Sequence, residues 1–321
     1  MYIVPESLAR DLVSQEAATE AIETVFAAMA REEARNFPVV RETLGHADAV
    51  YGFKSGFDRA GKVLGLKSGG YWPGNADRGL TNHQSTNVLF DPDTGRPYAL
   101  VGGNHLTAVR TAAASAVSIR HLARPDARVL GLIGAGHQSG FQLKAAAAQR
   151  RFEKVLCWNI DPDLLSTPAK AAEDIGLPFE AVDRDMLGAE ADVILTITSC
   201  FEPLLMKHQV KPGTHIACMG TDTIGKQEVD PALVAAATVF TDEVAQATVL
   251  GECQHAFAAG LLAAEAITPL GRVITGAHPG RTDIDEITLF DGTGVGLQDL
   301  AVADVAVRLA VAQGATLTVD M

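Results

Sequence analysis

Val129-Leu130-Gly131-Leu132-Ile133-Gly134-Ala135-Gly136-His137-Gln138-Ser139-Gly140 is the stretch on which the fold turns. A short apolar run feeds a Gly-x-Gly turn, and the turn opens a helix. Gly134 permits the tight bend, and Gly136 lets the backbone approach a pyrophosphate. The helix start supplies unpaired N–H groups and the positive end of its dipole. Ser139 takes the third glycine position and is small enough for close helix–strand packing. A glycine pattern alone is weak, but the preceding strand and the following helix are the context a dinucleotide site requires.

Reading outward, short apolar strands recur with helical stretches between most of them. They are Val155 to Trp158, Val193 to Ile197, His215 to Cys218 and Val239 to Phe240. That rhythm predicts an α/β fold with a Rossmann doubly wound parallel sheet. Upstream the character differs. A helix is expected from about Ser14 to Arg31, with Ser14 as N-cap. Strands follow at Ala49 to Ser55, Val63 to Ser68, Asn87 to Phe90 and Tyr98 to Val101, with a turn at Asp91 to Gly95. These suggest an α+β domain with an antiparallel or mixed sheet. An Ala-rich helix from about Leu106 to Leu122 ends it, and Pro125 breaks the chain. A last strand, Thr288 to Phe290, and a helix from about Leu297 to Ala312 are expected to pack back on the N-terminal domain. The domains are therefore drawn as 1–115, completed by 285–321, and 116–284.

The 321 residues are 47% hydrophobic and 20% charged, which suits a globular chain with a sizeable core. No apolar run approaches the roughly 18 residues of a membrane span. Met1 to Arg10 contains Glu6 and no apolar core, so a cytoplasmic location is the simplest expectation. A net charge of −13 argues against nucleic acid and anionic membrane as partners. Cys157, Cys200, Cys218 and Cys253 lack metal or redox spacing and read as reduced, packed thiols. No metal site is expected.

An acid is sought about 20 residues past the glycines to bond the adenosine ribose. Asn159 stands at the direct position and Asp161 two residues on, with no Arg or Lys nearby for a 2′-phosphate. NAD is therefore favoured over NADP. Thr198, Ser199 and the run Met219-Gly220-Thr221-Asp222 fall at later strand ends and are expected to line the nicotinamide half, with Lys226 closing that loop. Gln138 joins Gly134, Gly136 and His137 at the pyrophosphate turn. Asp222 is either a proton carrier beside the cofactor or a loop acid capping a turn. The N-terminal half contributes Arg41, Lys54, Lys67 and Arg110. Each could be a solvated surface charge, and together they make a plausible carboxylate clamp. His83 and His105 are lone histidines with structural or hydrogen-bonding roles.

The stretches Gly65-Leu66-Lys67, Pro73-Gly74-Asn75, Leu89 to Gly95, Leu106 to Ala113, Gly134 to Gln138, Gly220 to Glu228 and Gln298 to Ala301 resemble the ornithine cyclodeaminase/μ-crystallin family along essentially the whole chain. The resemblance implies a homodimer in which one domain, built from both chain ends, carries dimerisation and substrate binding. It implies that Arg41, Lys67 and Arg110 hold the carboxylate of a small imino or amino acid, and that Asp222 acts at the amine. Lys67 is a second candidate proton carrier, and Arg110 is also expected to reach the cofactor. A cyclodeaminase needs an acid for its cationic substrate, whereas Tyr51-Gly52-Phe53-Lys54 offers a cation. A second cation suggests a second substrate carboxylate, with Lys54 or His83 receiving it. The expectation is therefore NADH-dependent reduction of iminosuccinate to L-aspartate. Alanine dehydrogenase, cyclic-imine reductase, ornithine cyclodeaminase and a non-enzymatic binding protein of the μ-crystallin kind are its rivals.

Overall fold

The computed structural model describes residues 1–320. The chain divides into two compact units, 1–110 with 295–321 and 111–294.

The first unit is built on a mixed sheet. Its strands are Tyr2–Val4 (β1), Ala34–Asn36 (β2), Val40–Thr43 (β3), Val50–Asp58 (β4), Val63–Tyr71 (β5), His83–Phe90 (β6) and Pro97–Gly102 (β7). β4 to β7 form an antiparallel meander, and β1 lies parallel to β7. The helix at Gln15–Ala30 is capped by Ser14, whose hydroxyl accepts from Ala17 N at 3.1 Å. The Ala-rich helix runs over Asn104–Leu122. Its first turn is capped from a distance: the Glu6 carboxylate accepts from Asn104 N at 3.1 Å and from His105 N at 2.6 Å. An anion there complements the helix dipole. It also fixes the turns that carry Thr107 and Arg110, which share a face at i, i+3 spacing.

The second unit holds the parallel sheet. Its strands are Val129–Ile133 (β8), Lys154–Trp158 (β9), Phe179–Ala181 (β10), Val193–Thr196 (β11), Phe201–Leu205 (β12), His215–Cys218 (β13), Gln227–Val229 (β14), Thr238–Thr241 (β15), Thr268–Pro269 (β16) and Thr288–Asp291 (β17). The main sheet has the order β10-β9-β8-β11-β13-β17-β15-β16, while β12 and β14 pair separately. Strand order reverses between β8 and β11, the switch point where such sheets bind ligands. Ile133, Leu156, Ile194, Ile216 and Leu289 are buried in its core. The near-continuous apolar runs seen in the sequence follow from this, because both sheet faces are covered.

One expectation is corrected here. Thr288–Asp291 does not join the N-terminal domain; it inserts between β13 and β15 in the parallel sheet. The chain therefore re-enters the first unit at Val295, not near 285. The closing helix, Gly296–Ala312, does pack on the first unit, against the helix Gln15–Ala30 and against β4 and β5. A short strand at Leu317–Thr318 (β18) pairs with β1.

Candidate active site

In the first unit, strand register gathers the cations. Lys54, Lys67, Asn87 and Val101 lie side by side across β4, β5, β6 and β7. Side chains alternate faces along a strand, so Gly52, Gly69 and Ser85 lie two residues away on the same face. Arg41, on the edge strand β3, stands opposite Gly52 and is exposed. His83 and Tyr71 end the same face.

The helix Gly296–Ala312 comes down on this face. At Gly65 a Cβ would lie 2.5 Å from Val88 O and 2.9 Å from Leu300 Cδ2, so the helix approaches only because the strand carries glycine there. The approach brings Asp299 into the cationic row. Asp299 Oδ1 accepts from Lys67 Nζ at 3.0 Å and from Arg110 Nε at 3.0 Å. Arg110 Nη1 donates to Gln298 Oε1 at 3.0 Å, so two side chains of one helix fix the guanidinium plane. Lys67 Nζ also donates to Thr107 Oγ1 at 3.4 Å.

The electrostatics follow from burial. Lys67 is 7% and Arg110 7% exposed, so neither is a solvated surface charge. Burial pushes the Lys67 ammonium down to about 8. Asp299 opposes that fall, and Arg110 and Lys54 add to it. Burial alone would raise the Asp299 carboxyl, but Arg110, Lys67 and Lys54 outweigh it and hold it at about 2. His83 is pushed down to about 3, by burial first and then by Lys67, and is neutral at physiological pH. Lys54, Lys67 and Arg110 around Asp299 leave this face of a strongly acidic chain locally positive, which suits an anionic ligand.

Sequence reasoning assigned no role to Asp299, Gln298 or Asn87. Asp299 is 1% exposed and is the one charged residue in the otherwise uncharged run Leu297-Gln298-Asp299-Leu300-Ala301. That isolation was the available signal. Asn87 is 1% exposed, and neither polar atom of its side chain has a partner within the protein. It sits opposite Lys67 and was hidden in what reads as an ordinary strand.

In the second unit, the glycine turn is held at its base. Gly134 has φ +112°, and its N–H donates to Trp158 O at 2.9 Å. A Cβ there would lie 2.5 Å from Ile197 O. Gly136 and His137 are exposed, and a Cβ on Gly136 would meet nothing within 4 Å. Ser139 is buried at the start of the helix Ser139–Ala147, its hydroxyl donating to Gly136 O at 2.7 Å. Gln138 Oε1 is buried without a protein partner. An open loop of backbone at a helix start fits a pyrophosphate.

Asn159 serves this loop directly. Its Oδ1 accepts from Ala135 N at 3.0 Å and its Nδ2 donates to Asp161 O at 2.7 Å. Asp161 is exposed and its carboxylate accepts from Asp163 N at 3.1 Å. At the ends of β11 and β13, Ser199 is exposed while Met219, Gly220 and Thr221 are buried. The Thr221 hydroxyl donates to Glu252. Asp222 is half-buried and pairs with Lys226 Nζ at 2.9 Å, and Lys226 also donates to Gly220 O at 3.2 Å.

Residues 7–313 match the ornithine cyclodeaminase/mu-crystallin family. The chain belongs to that family. Across its whole length it is 63% identical to the iminosuccinate reductase of Paracoccus denitrificans, covering all of that protein. The crystal structure of that reductase in complex with NAD+ superimposes with a TM-score of 0.97, covering 100% of this chain and 99% of the other. The alanine dehydrogenase of Archaeoglobus fulgidus is 31% identical over 94% of this chain and 93% of its own. The family's fold, expected from the glycine turn and its surrounding strands, is the fold observed.

Proposed function

We propose that this chain reduces iminosuccinate to L-aspartate with NADH. The observation that carries the reading is the pair of buried cations, Lys67 and Arg110, held on Asp299, with Lys54 beside Lys67 in the sheet. The 63% identity to an iminosuccinate reductase supports it. The chain is an NAD-dependent oxidoreductase acting on C=N or CH–NH2 groups.

NADH supplies the hydride that the imino carbon receives. Gly134, Gly136, His137 and Gln138 would hold its pyrophosphate, with Asn159 and Asp161 at the adenosine end. Ser199 and the run from Met219 to Asp222 would stand at the nicotinamide end. In the first unit, Arg110, Lys67 and Arg41 bind the α-carboxylate. Asp299 and Gln298 hold Arg110 in one plane, so its fork is preorganised for a carboxylate. Lys54 takes the distal carboxylate. Its charge speaks for it over His83, whose surroundings keep the ring neutral. A neutral His83 still donates one N–H. Lys67 delivers the proton to the imine nitrogen: a value near 8 lets it give and regain a proton close to neutrality. Asp222 is the other candidate carrier.

The chain works in the cytoplasm as a homodimer. Tyr51 and Phe53 are each 40% exposed on the sheet face opposite the cationic row, and Leu66, Val88 and Leu100 are only half-buried on that face. A second copy would cover this apolar patch.

Lys54→Ala tests the dicarboxylate assignment. Its KM for iminosuccinate is expected to rise at least about tenfold, the worth of one charge-assisted hydrogen bond, while turnover of pyruvate plus ammonia is unchanged. Equal effects on both substrates would remove Lys54 from substrate recognition.

A further inference from the structure

Glu228 on β14 is fully buried, and its carboxylate faces four donors. Oε1 accepts from Thr198 N at 2.6 Å and from Thr198 Oγ1 at 2.8 Å. Oε2 accepts from Thr196 Oγ1 at 2.6 Å and from Gly220 N at 2.9 Å. The donors stand at the ends of β11 and β13, two adjacent parallel strands. Those are the strand ends at which an open parallel sheet receives its ligand.

A carboxylate offers about four lone-pair sites, and here all are taken. Two of the donors are backbone N–H groups, which cannot turn round to accept. Burial pushes the Glu228 carboxyl up, and these four donors oppose that rise by favouring its charged form. Glu252 stands behind it and accepts from Glu228 N at 2.9 Å, from Val229 N at 2.8 Å and from the Thr221 hydroxyl. Burial first, and then the charge of Glu228, push Glu252 up to about 8. The Thr221 hydroxyl, the donor in this structure, can rotate to accept when Glu252 is protonated. Glu228 has four donors and Glu252 three, which favours the charge on Glu228 and the pair's proton on Glu252.

We propose that Glu228 is a positioning residue for the nicotinamide end of the site. It ties the ends of β11 and β13 into one floor, and its buried charge favours the cationic, oxidised nicotinamide over the neutral, reduced one. The inference rests on the cofactor assignment above. A buried anion acts over several ångströms, because the interior screens it poorly. The same charge would stabilise a ring that turns cationic as its hydride leaves.

The test is the ratio of dissociation constants for NAD+ and NADH, read by NADH fluorescence and by NAD+ competition. Glu252→Gln removes a carboxylate but not the charge, so the ratio is expected to stay within about twofold. Glu228→Gln combined with Glu252→Gln removes the charge and keeps the shape. Its ratio is expected to shift at least about fivefold towards NADH. An unmoved ratio in the folded double variant overturns the inference alone. A wild-type chain that binds neither form overturns the cofactor assignment and the inference with it. If the double variant does not fold, Glu228→Asp decides the positioning role. It keeps the charge but falls one methylene short, so both dissociation constants should rise together by at least about threefold. Unchanged binding in that variant overturns the inference.

Discussion

Asp299 shows how one side chain sets the character of its neighbours. It holds Lys67 and Arg110 through a single oxygen, and its charge keeps Lys67 from falling as far as burial alone would take it. Asp299→Asn removes that support. The Lys67 ammonium then loses its proton at lower pH, so the alkaline limb of kcat/KM, expected near 8 in the wild type, moves towards neutrality. Two buried cations also lose their counter-ion, which should destabilise the fold by about 3 kcal/mol. A pH profile in the variant that overlays the wild type would detach Lys67 from proton transfer. At this scale the sequence was partly informative. Lys67 and Arg110 stood out as charges among apolar and small residues. Their partner lies 189 residues from Arg110, a separation at which no local pattern operates.

Among the elements, the closing helix depends on a glycine in β5. Gly65→Ala would place a methyl group against Val88 O and the Leu300 and Leu89 side chains. Overpacking of this kind costs about 1–3 kcal/mol. Here it should also lift Asp299 away from Lys67, so thermal stability and turnover are expected to fall together. Unchanged turnover in a destabilised variant would show that the helix position is not what sets the site. The glycine turn, β8 and the helix after it were legible because strand, turn and helix carry distinct local signatures. The strand Thr288–Asp291 was read correctly as a strand and assigned to the wrong sheet. Its apolar residues fit any buried sheet, and only pairing with β13 and β15 decides between them. The edge strands β2 and β3 went unread, being short, with β3 wholly exposed. A dimer across the outer sheet face makes a further demand on this layer. Phe53→Glu puts a charge into that face without touching the cationic row, and light scattering should then report a monomer.

For the whole molecule, buried acids tie stability to pH. Glu252 is raised to about 8 and Asp291 to about 7, each chiefly by burial. Between the ordinary carboxyl range and those values the folded chain binds more protons than the unfolded one. Stability therefore falls as pH rises through that window, by about 1.4 kcal/mol per pH unit for each proton of difference. The net charge of −13 works in the same direction through self-repulsion. Lys67, lowered to about 8, acts oppositely above that value, and the buried His83 and His215 act oppositely below about 6.5, where the unfolded chain binds the extra protons, but the two acids span the wider range. The melting temperature should be higher at pH 5.5 than at pH 8; a flat or rising profile would mean that these acids are not buried as described. The most direct measurement of function is NADH oxidation by the wild-type chain. Iminosuccinate, formed from oxaloacetate and ammonia, is compared with pyruvate plus ammonia at equal concentration. Preference for the four-carbon substrate by about tenfold or more, about 1.4 kcal/mol of transition-state discrimination, is the expected result. Equal turnover, or faster turnover of pyruvate, would contradict the dicarboxylate site.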